Sequence, residues 1–131
     1  MKSTQELLEG ALKVRERAYV PYSHFAVGAV VQTADGQVFS GCNVENISYG
    51  LTNCAERTAI FSAVAAGARE LTTLLVVADS PRPVAPCGAC RQVMAEFGIK
   101  TVHMANTQGD IKTVNMQEIL PYAFSEQDME V

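Results

Sequence analysis

The chain has 131 residues, 48% of them apolar, with a formal net charge of -4 and an isoelectric point near 5.1. That size fits one domain, residues 1–131, with a sizeable core, and no run of lysine or arginine offers the electrostatic footprint that a nucleic-acid partner requires. No apolar run is long enough to span a bilayer and Met1-Lys2-Ser3-Thr4-Gln5-Glu6 lacks the apolar centre of a signal peptide, so a membrane partner is excluded and a cytoplasmic location expected.

In chain order, Ser3-Thr4-Gln5-Glu6 fits a capping box, and Leu7, Leu8, Ala11, Leu12, Val14 and Ala18 supply the apolar positions of a first helix to about Tyr19, ended by Pro21. Residues 25–33 form a nearly continuous valine-rich run. Ala34-Asp35-Gly36 is a turn signal and residues 37–43 alternate, so the two runs predict a hairpin whose first strand is central. Residues 43–53 are polar and aperiodic, a loop delivering Cys54 to a second helix that stops at Gly67. Residues 59–66 of that helix are apolar on almost every face, which predicts cover by the sheet on one side and by another subunit on the other. A strand over 74–79 leads into a loop stiffened by Pro81, Pro83 and Pro86. A third helix over 87–97 ends at Gly98. Strands over 100–105 and 111–114, a short helix to Leu120 and a tail after Pro121 complete the chain. Helices alternating with strands imply a three-layer α/β/α sandwich around a mixed, about five-stranded sheet.

Chemistry concentrates where loops enter helices, the usual place for sites in such sheets. In Pro86-Cys87-Gly88-Ala89-Cys90-Arg91-Gln92, two cysteines three apart can exchange electrons or hold a metal. A metal needs at least one more ligand, and Asn53-Cys54-Ala55-Glu56-Arg57 offers it at the start of the second helix. Three thiolates leave one tetrahedral position open, the mark of a catalytic rather than a structural zinc. The two strand-helix units must be neighbours for these cysteines to meet. Four cysteines in a chain without a leader read as reduced thiols or ligands, not a disulfide framework. Cys42, in the alternating stretch, reads as a small buried thiol. Glu56 lies too close to Cys54 in sequence to share the metal but stands beside the open position, where a proton shuttle belongs.

Cysteine, one residue, glutamate, then Pro-Cys-x-x-Cys is the pattern of zinc nucleobase deaminases. Together with Tyr22-Ser23-His24-Phe25-Ala26-Val27-Gly28-Ala29, Asn43-Val44-Glu45-Asn46 and Leu120-Pro121-Tyr122-Ala123-Phe124, it makes the chain resemble the small zinc-dependent cytidine deaminases of the homotetrameric class, from about residue 18 to 124. The resemblance implies that Asn43 and Glu45 hold ribose hydroxyls, that Phe25 packs against the base, and that Tyr49 and Phe124 enter a neighbouring subunit's pocket. The plainer readings are a strand-end cap for Asn43, a solvated Glu45, a core Phe25 and a docked tail for Phe124. Ile47 stands where relatives often carry a smaller residue.

Three thiolates around one zinc leave a net negative charge. A guanidinium at Arg57 and the two helix N-termini would draw that charge back; Arg91 is a second such candidate, and either arginine is otherwise a solvated surface residue. His24 and His103 have no ligand spacing and read as surface histidines.

The expected activity is hydrolytic deamination of free cytidine and deoxycytidine to uridine and deoxyuridine, a step of pyrimidine salvage, with one zinc per chain. Glu56 would pass the water's proton to ring N3 and then to the departing amine, while the Ala55 N–H holds O2 and the Ala85 carbonyl receives the ammonia. Rivals within the enzyme class act on a nucleoside-like antibiotic, a free base or another small aminopyrimidine. A polynucleotide-editing deaminase should show basic loops. Outside the deaminases stand a non-catalytic zinc-stabilised binding module and a Cys-x-x-Cys oxidoreductase.

Overall fold

The computed structural model describes residues 1–129. Helix α1 spans Thr4–Arg15, β1 Val27–Thr33, β2 Val38–Cys42, α2 Ala55–Ala65 and β3 Leu71–Ala78. Helix α3 spans Gly88–Glu96, β4 Thr101–Asn106, β5 Ile111–Asn115 and α4 Met116–Ile119. The five strands form one mixed sheet in the order β2-β1-β3-β4-β5. Only the β3–β4 pairing is parallel, and α3 is the crossover that a parallel pair requires.

The period-two geometry of β3 divides the core in two. Leu74 and Val76 face α2 and α3 with Ala29, Val31, Ile60 and Met94, while Leu75 and Val77 face α1 with Leu7, Leu8, Ala11 and Val30. Helices therefore cover both faces, as the alternation predicts, and the part of β3 covered on both faces, residues 74–78, is a continuous apolar run. Each of those four β3 side chains is at most 1% exposed, and each such burial contributes about 1.5–3 kcal/mol.

Local signals set most boundaries. Ser3 and Glu6 form the reciprocal capping box at the start of α1. Gly67 and Gly98, after α2 and α3, take the positive φ values of 102° and 80° that L side chains resist. The end of α1 differs from expectation: the helix stops at Arg15, not near Tyr19. Residues 16–18 tighten into i→i−3 bonds, and the Tyr19 N–H then donates to the Asn43 carbonyl at 3.0 Å. A tertiary pairing thus ends the helix ahead of Pro21.

The expected adjacency of the two cysteine-bearing units is also corrected. Strand β1 lies between β2 and β3, so the units are not neighbours in the sheet. The cysteines meet because α2 and α3 lie side by side on one face and reach each other across β1. Gly41 permits the close seat of α2, since a Cβ there would lie 2.3 Å from the Ala59 nitrogen. The outer side of α2 is open: Phe61, Ser62 and Ala65 are exposed.

Candidate metal centre

Cys54 and Cys87 are the N-cap residues of α2 and α3, both in extended conformation and neither accepting a capping bond through its side chain. A serine or aspartate there would spend its oxygen on the first turn. A thiol leaves its sulfur free beside a helix end whose first N–H groups lack intrahelical partners. Cys90 then lies one turn into α3, fully buried.

The Sγ atoms of Cys54, Cys87 and Cys90 all lie within 4.8 Å of one another. Cys54 and Cys87 are 3.8 Å apart, and Cys87 and Cys90 3.4 Å. Those separations are far from a bonded pair at about 2.05 Å, and all four cysteines are free. They lie at, and slightly below, the edge of about 3.8 Å that a tetrahedron of sulfurs at about 2.3 Å from zinc requires. Among the described residues this is the one metal-ligating group of three or more side chains.

The electrostatics of the donor set also call for a cation. The Cys54 thiol is pulled down to about 5, first by hydrogen bonding to Cys90 and then by the Arg57 guanidinium, whose Nη2 donates to its sulfur at 3.3 Å. Cys90 is pushed far above its ordinary range by Cys54, by burial and by Glu56. A thiolate is welcome at Cys54 and resisted at Cys90, so a cation beside the two sulfurs favours ionising both. Arg57 is held in its charged form by Cys54 and Cys90. Its Nε is buried without a partner among the described residues.

Glu56 is 4% exposed. Burial first, and the charge of Cys54 after it, raise its carboxyl to about 7. A carboxyl in this position is poised between its two protonation states at neutral pH.

A strip of short backbone bridges sets the residues of the preceding loop alongside this centre. Val44 and Asn53 exchange both N–H···O bonds at 3.0 and 2.9 Å, and this antiparallel register brings Asn43 opposite Cys54 and Glu45 opposite Thr52. Asn43 Oδ1 accepts from the Val27 N–H at 2.9 Å, and its Nδ2 donates to the Phe25 carbonyl at 2.8 Å. Glu45 Oε1 accepts from the N–H groups of Tyr22 and Ser23, both at 3.1 Å, and Oε2 accepts from Ser23 Oγ. The Ser23 hydroxyl, more than burial opposes it, holds Glu45 below the usual carboxylate range. Neither residue is simply solvated: both clamp the segment ahead of β1.

Tyr22, Ser23, Glu45, Tyr49 and Thr52 line a cleft of ≈ 340 Å³. Tyr22 and Ser23 were legible only as part of the family motif; their tie to Glu45 spans more than twenty residues and has no local signal. The rings of Tyr22 and Tyr49 are tilted at 57° with centroids 6.0 Å apart. Phe25, Ile47, Tyr49 and Phe124 are all exposed, and Ala55 is fully buried. Cys42 is half-buried on β2, outside the thiol cluster. His103 bonds Thr113 Oγ1 across the β4–β5 ladder at 2.7 Å. His24 is exposed with φ 58°, and its backbone N–H returns to the Val20 carbonyl.

Fold and thiol cluster together define an α/β/α domain with a three-cysteine metal site. Residues 1–106 match the family model for the cytidine and deoxycytidylate deaminase zinc-binding region, and the chain belongs to that family. It is 54% identical to a cytidine deaminase of Halalkalibacterium halodurans, over 95% of this chain and 96% of that protein. A cytidine deaminase of Sporosarcina psychrophila is 51% identical over 95% and 93% of the two chains. The crystal structure of cytidine deaminase from Burkholderia pseudomallei superimposes with a TM-score of 0.91 at 53% identity, covering 94% of this chain and all of that one. The Mycobacterium tuberculosis structure gives 0.81 at 38% identity, over 95% and 99%.

Proposed function

We propose that this single-domain chain deaminates free cytidine and deoxycytidine hydrolytically, yielding uridine or deoxyuridine and ammonia in pyrimidine salvage. The observation that carries the reading is the convergence of Cys54, Cys87 and Cys90 beside the buried Glu56. Relatives named cytidine deaminase match over nearly the full length.

Cys54, Cys87 and Cys90 hold one zinc, which when bound acts as a Lewis acid and lowers the pKa of a water. Glu56 takes one proton of the attacking water and delivers it to ring N3, then takes the remaining proton from the hydroxyl added at C4 and gives it to the amine that leaves C4. Water and cytidine are consumed, ammonia and uridine formed, and the carboxyl returns to its starting state. A carboxyl near 7 can both accept and give the proton at neutral pH. Arg57 balances the charge of the three sulfurs. The Ala55 N–H, one of the first-turn donors of α2, holds the pyrimidine O2, and the Ala85 carbonyl receives the ammonia.

Asn43 and Glu45 retain capacity for the ribose after their structural bonds. Asn43 has one unused N–H, and Glu45 uses three of about four acceptor positions. Phe25 lies against the base. Phe61, Ile47, Tyr49 and Phe124 are exposed and free to make the contacts of a homotetramer in which Tyr49 and Phe124 complete a neighbour's pocket. A cytoplasmic location belongs to the same reading; among the described residues no helix is long and apolar enough to cross a membrane. The test is loss of cytidine absorbance with and without a chelator: turnover should stop when zinc is removed and return when it is restored. Undiminished turnover in the chelated protein refutes the proposal. Light scattering of the purified protein tests the tetramer, and a monomeric mass would refute it.

A further inference from the structure

Arg91 and Gln92 follow Cys90 directly on α3 and have no part in the chemistry above. Their side chains end on main-chain carbonyls. Arg91 Nε donates to the Pro86 carbonyl at 2.9 Å and Nη1 to the Ile119 carbonyl at 2.8 Å. Gln92 Nε2 donates to the Phe124 carbonyl at 2.8 Å. Since the Arg91 backbone N–H also bonds the Cys87 carbonyl at 3.1 Å, Cys87 and Cys90 lie within a ring that one residue closes twice.

The segment after α4 has little else to hold it. Among the described residues, Ser125, Gln127 and Asp128 bond only with one another. Among the described residues, Gln92 makes the one hydrogen bond joining residues 121–129 to the rest of the chain. Tyr122 adopts φ 55° with its side chain fully exposed, a left-handed conformation that residues other than glycine avoid. Its turn is therefore fixed from its two ends, at Ile119 and Phe124. Cys87 is the exposed member of the thiol set, on a loop whose own regular structure begins only at Gly88.

We infer that Arg91 and Gln92 strap the C-terminal segment to the thiol loop, Arg91 positioning Cys87 and Cys90 and Gln92 positioning Phe124. A guanidinium suits this because its planar fork reaches two carbonyls in divergent directions, which a lysine ammonium on a flexible stem does not do. The metal half of the inference rests on the zinc reading; the tail half stands without it.

The test uses the zinc-loaded protein and two variants, Arg91→Lys and Gln92→Ala, with circular dichroism to confirm the fold. Zinc transfer to a colorimetric chelator should be at least about tenfold faster in Arg91→Lys. A role in charge or packing alone would be rescued by lysine, so a native release rate in this variant overturns the Arg91 half. Gln92→Ala should release zinc at the native rate, while chymotrypsin cleavage after Tyr122, followed by mass spectrometry, rises at least about tenfold. Native cleavage overturns the Gln92 half. Failure of the unaltered protein to bind zinc would overturn the zinc reading and the Arg91 half with it, leaving the cleavage result to decide the strap.

Discussion

Replacing Glu56 by glutamine should inactivate the enzyme and, in the metal-free protein, make it more stable at alkaline pH. Moving the carboxyl from 4.5 to about 7, at about 1.36 kcal/mol for each tenfold change in proton affinity, means that the buried charge costs about 3 kcal/mol. The sign follows from which state loses its proton first. Below pH 4.5 the carboxyl is neutral both folded and unfolded, and there is no cost. Between 4.5 and 7 the unfolded chain ionises while the folded one does not, so stability falls as pH rises, and above 7 the whole cost is present. Glutamine has nearly the same shape and no charge to bury. Urea unfolding of chelator-treated protein at pH 5 and pH 8 measures the difference. With a slope of about 2 kcal/mol per molar urea, the midpoint of Glu56→Gln should exceed that of the native chain by about 1.5 M at pH 8 and by much less at pH 5. Loss of the proton shuttle should lower cytidine turnover of the zinc-loaded variant by about 10²–10⁴-fold. Equal midpoints at pH 8 would refute the buried-charge argument, and near-native turnover would refute the shuttle.

Cys54→Ser or Cys87→Ser should purify with background zinc and no deaminase activity, as measured by elemental analysis beside the absorbance assay. Glu45→Gln leaves the Tyr22 and Ser23 donors facing a weaker acceptor, and loss of a charge-assisted bond of about 1.5–3 kcal/mol should raise KM for cytidine by tenfold or more. Arg57→Gln removes the cation bonded to Cys54 at 3.3 Å; titration of the Cys54 thiol in the metal-free protein should move upward from about 5. Gly41→Ala drives a Cβ to 2.3 Å from the Ala59 nitrogen, and thermal denaturation should show a loss of at least about 2 kcal/mol, because backbone cannot rotate aside as a side chain can.

The metal centre was legible because its chemistry fixes residue types and short spacings: Cys87 and Cys90 are one helical turn apart, and each cysteine loop runs into a helix whose glycine stop is visible. The layering was legible for a similar reason, since β3 is apolar on both faces. What the sequence concealed was long-range. Nothing near Arg15 announces that Tyr19 pairs with Asn43 and ends α1, and no local pattern reveals that β1 separates the strands before α2 and α3. Glu45 and Asn43 look like loop residues until the turn ahead of β1 is seen folded onto them.

The central claim is that sulfur supplies three corners of the zinc site and leaves the fourth to a small ligand. X-ray absorption at the zinc edge of the resting, zinc-loaded protein measures this directly. The account predicts three sulfur neighbours at about 2.3 Å and one light-atom neighbour at about 2.0 Å; four sulfurs, or fewer than three, would contradict it.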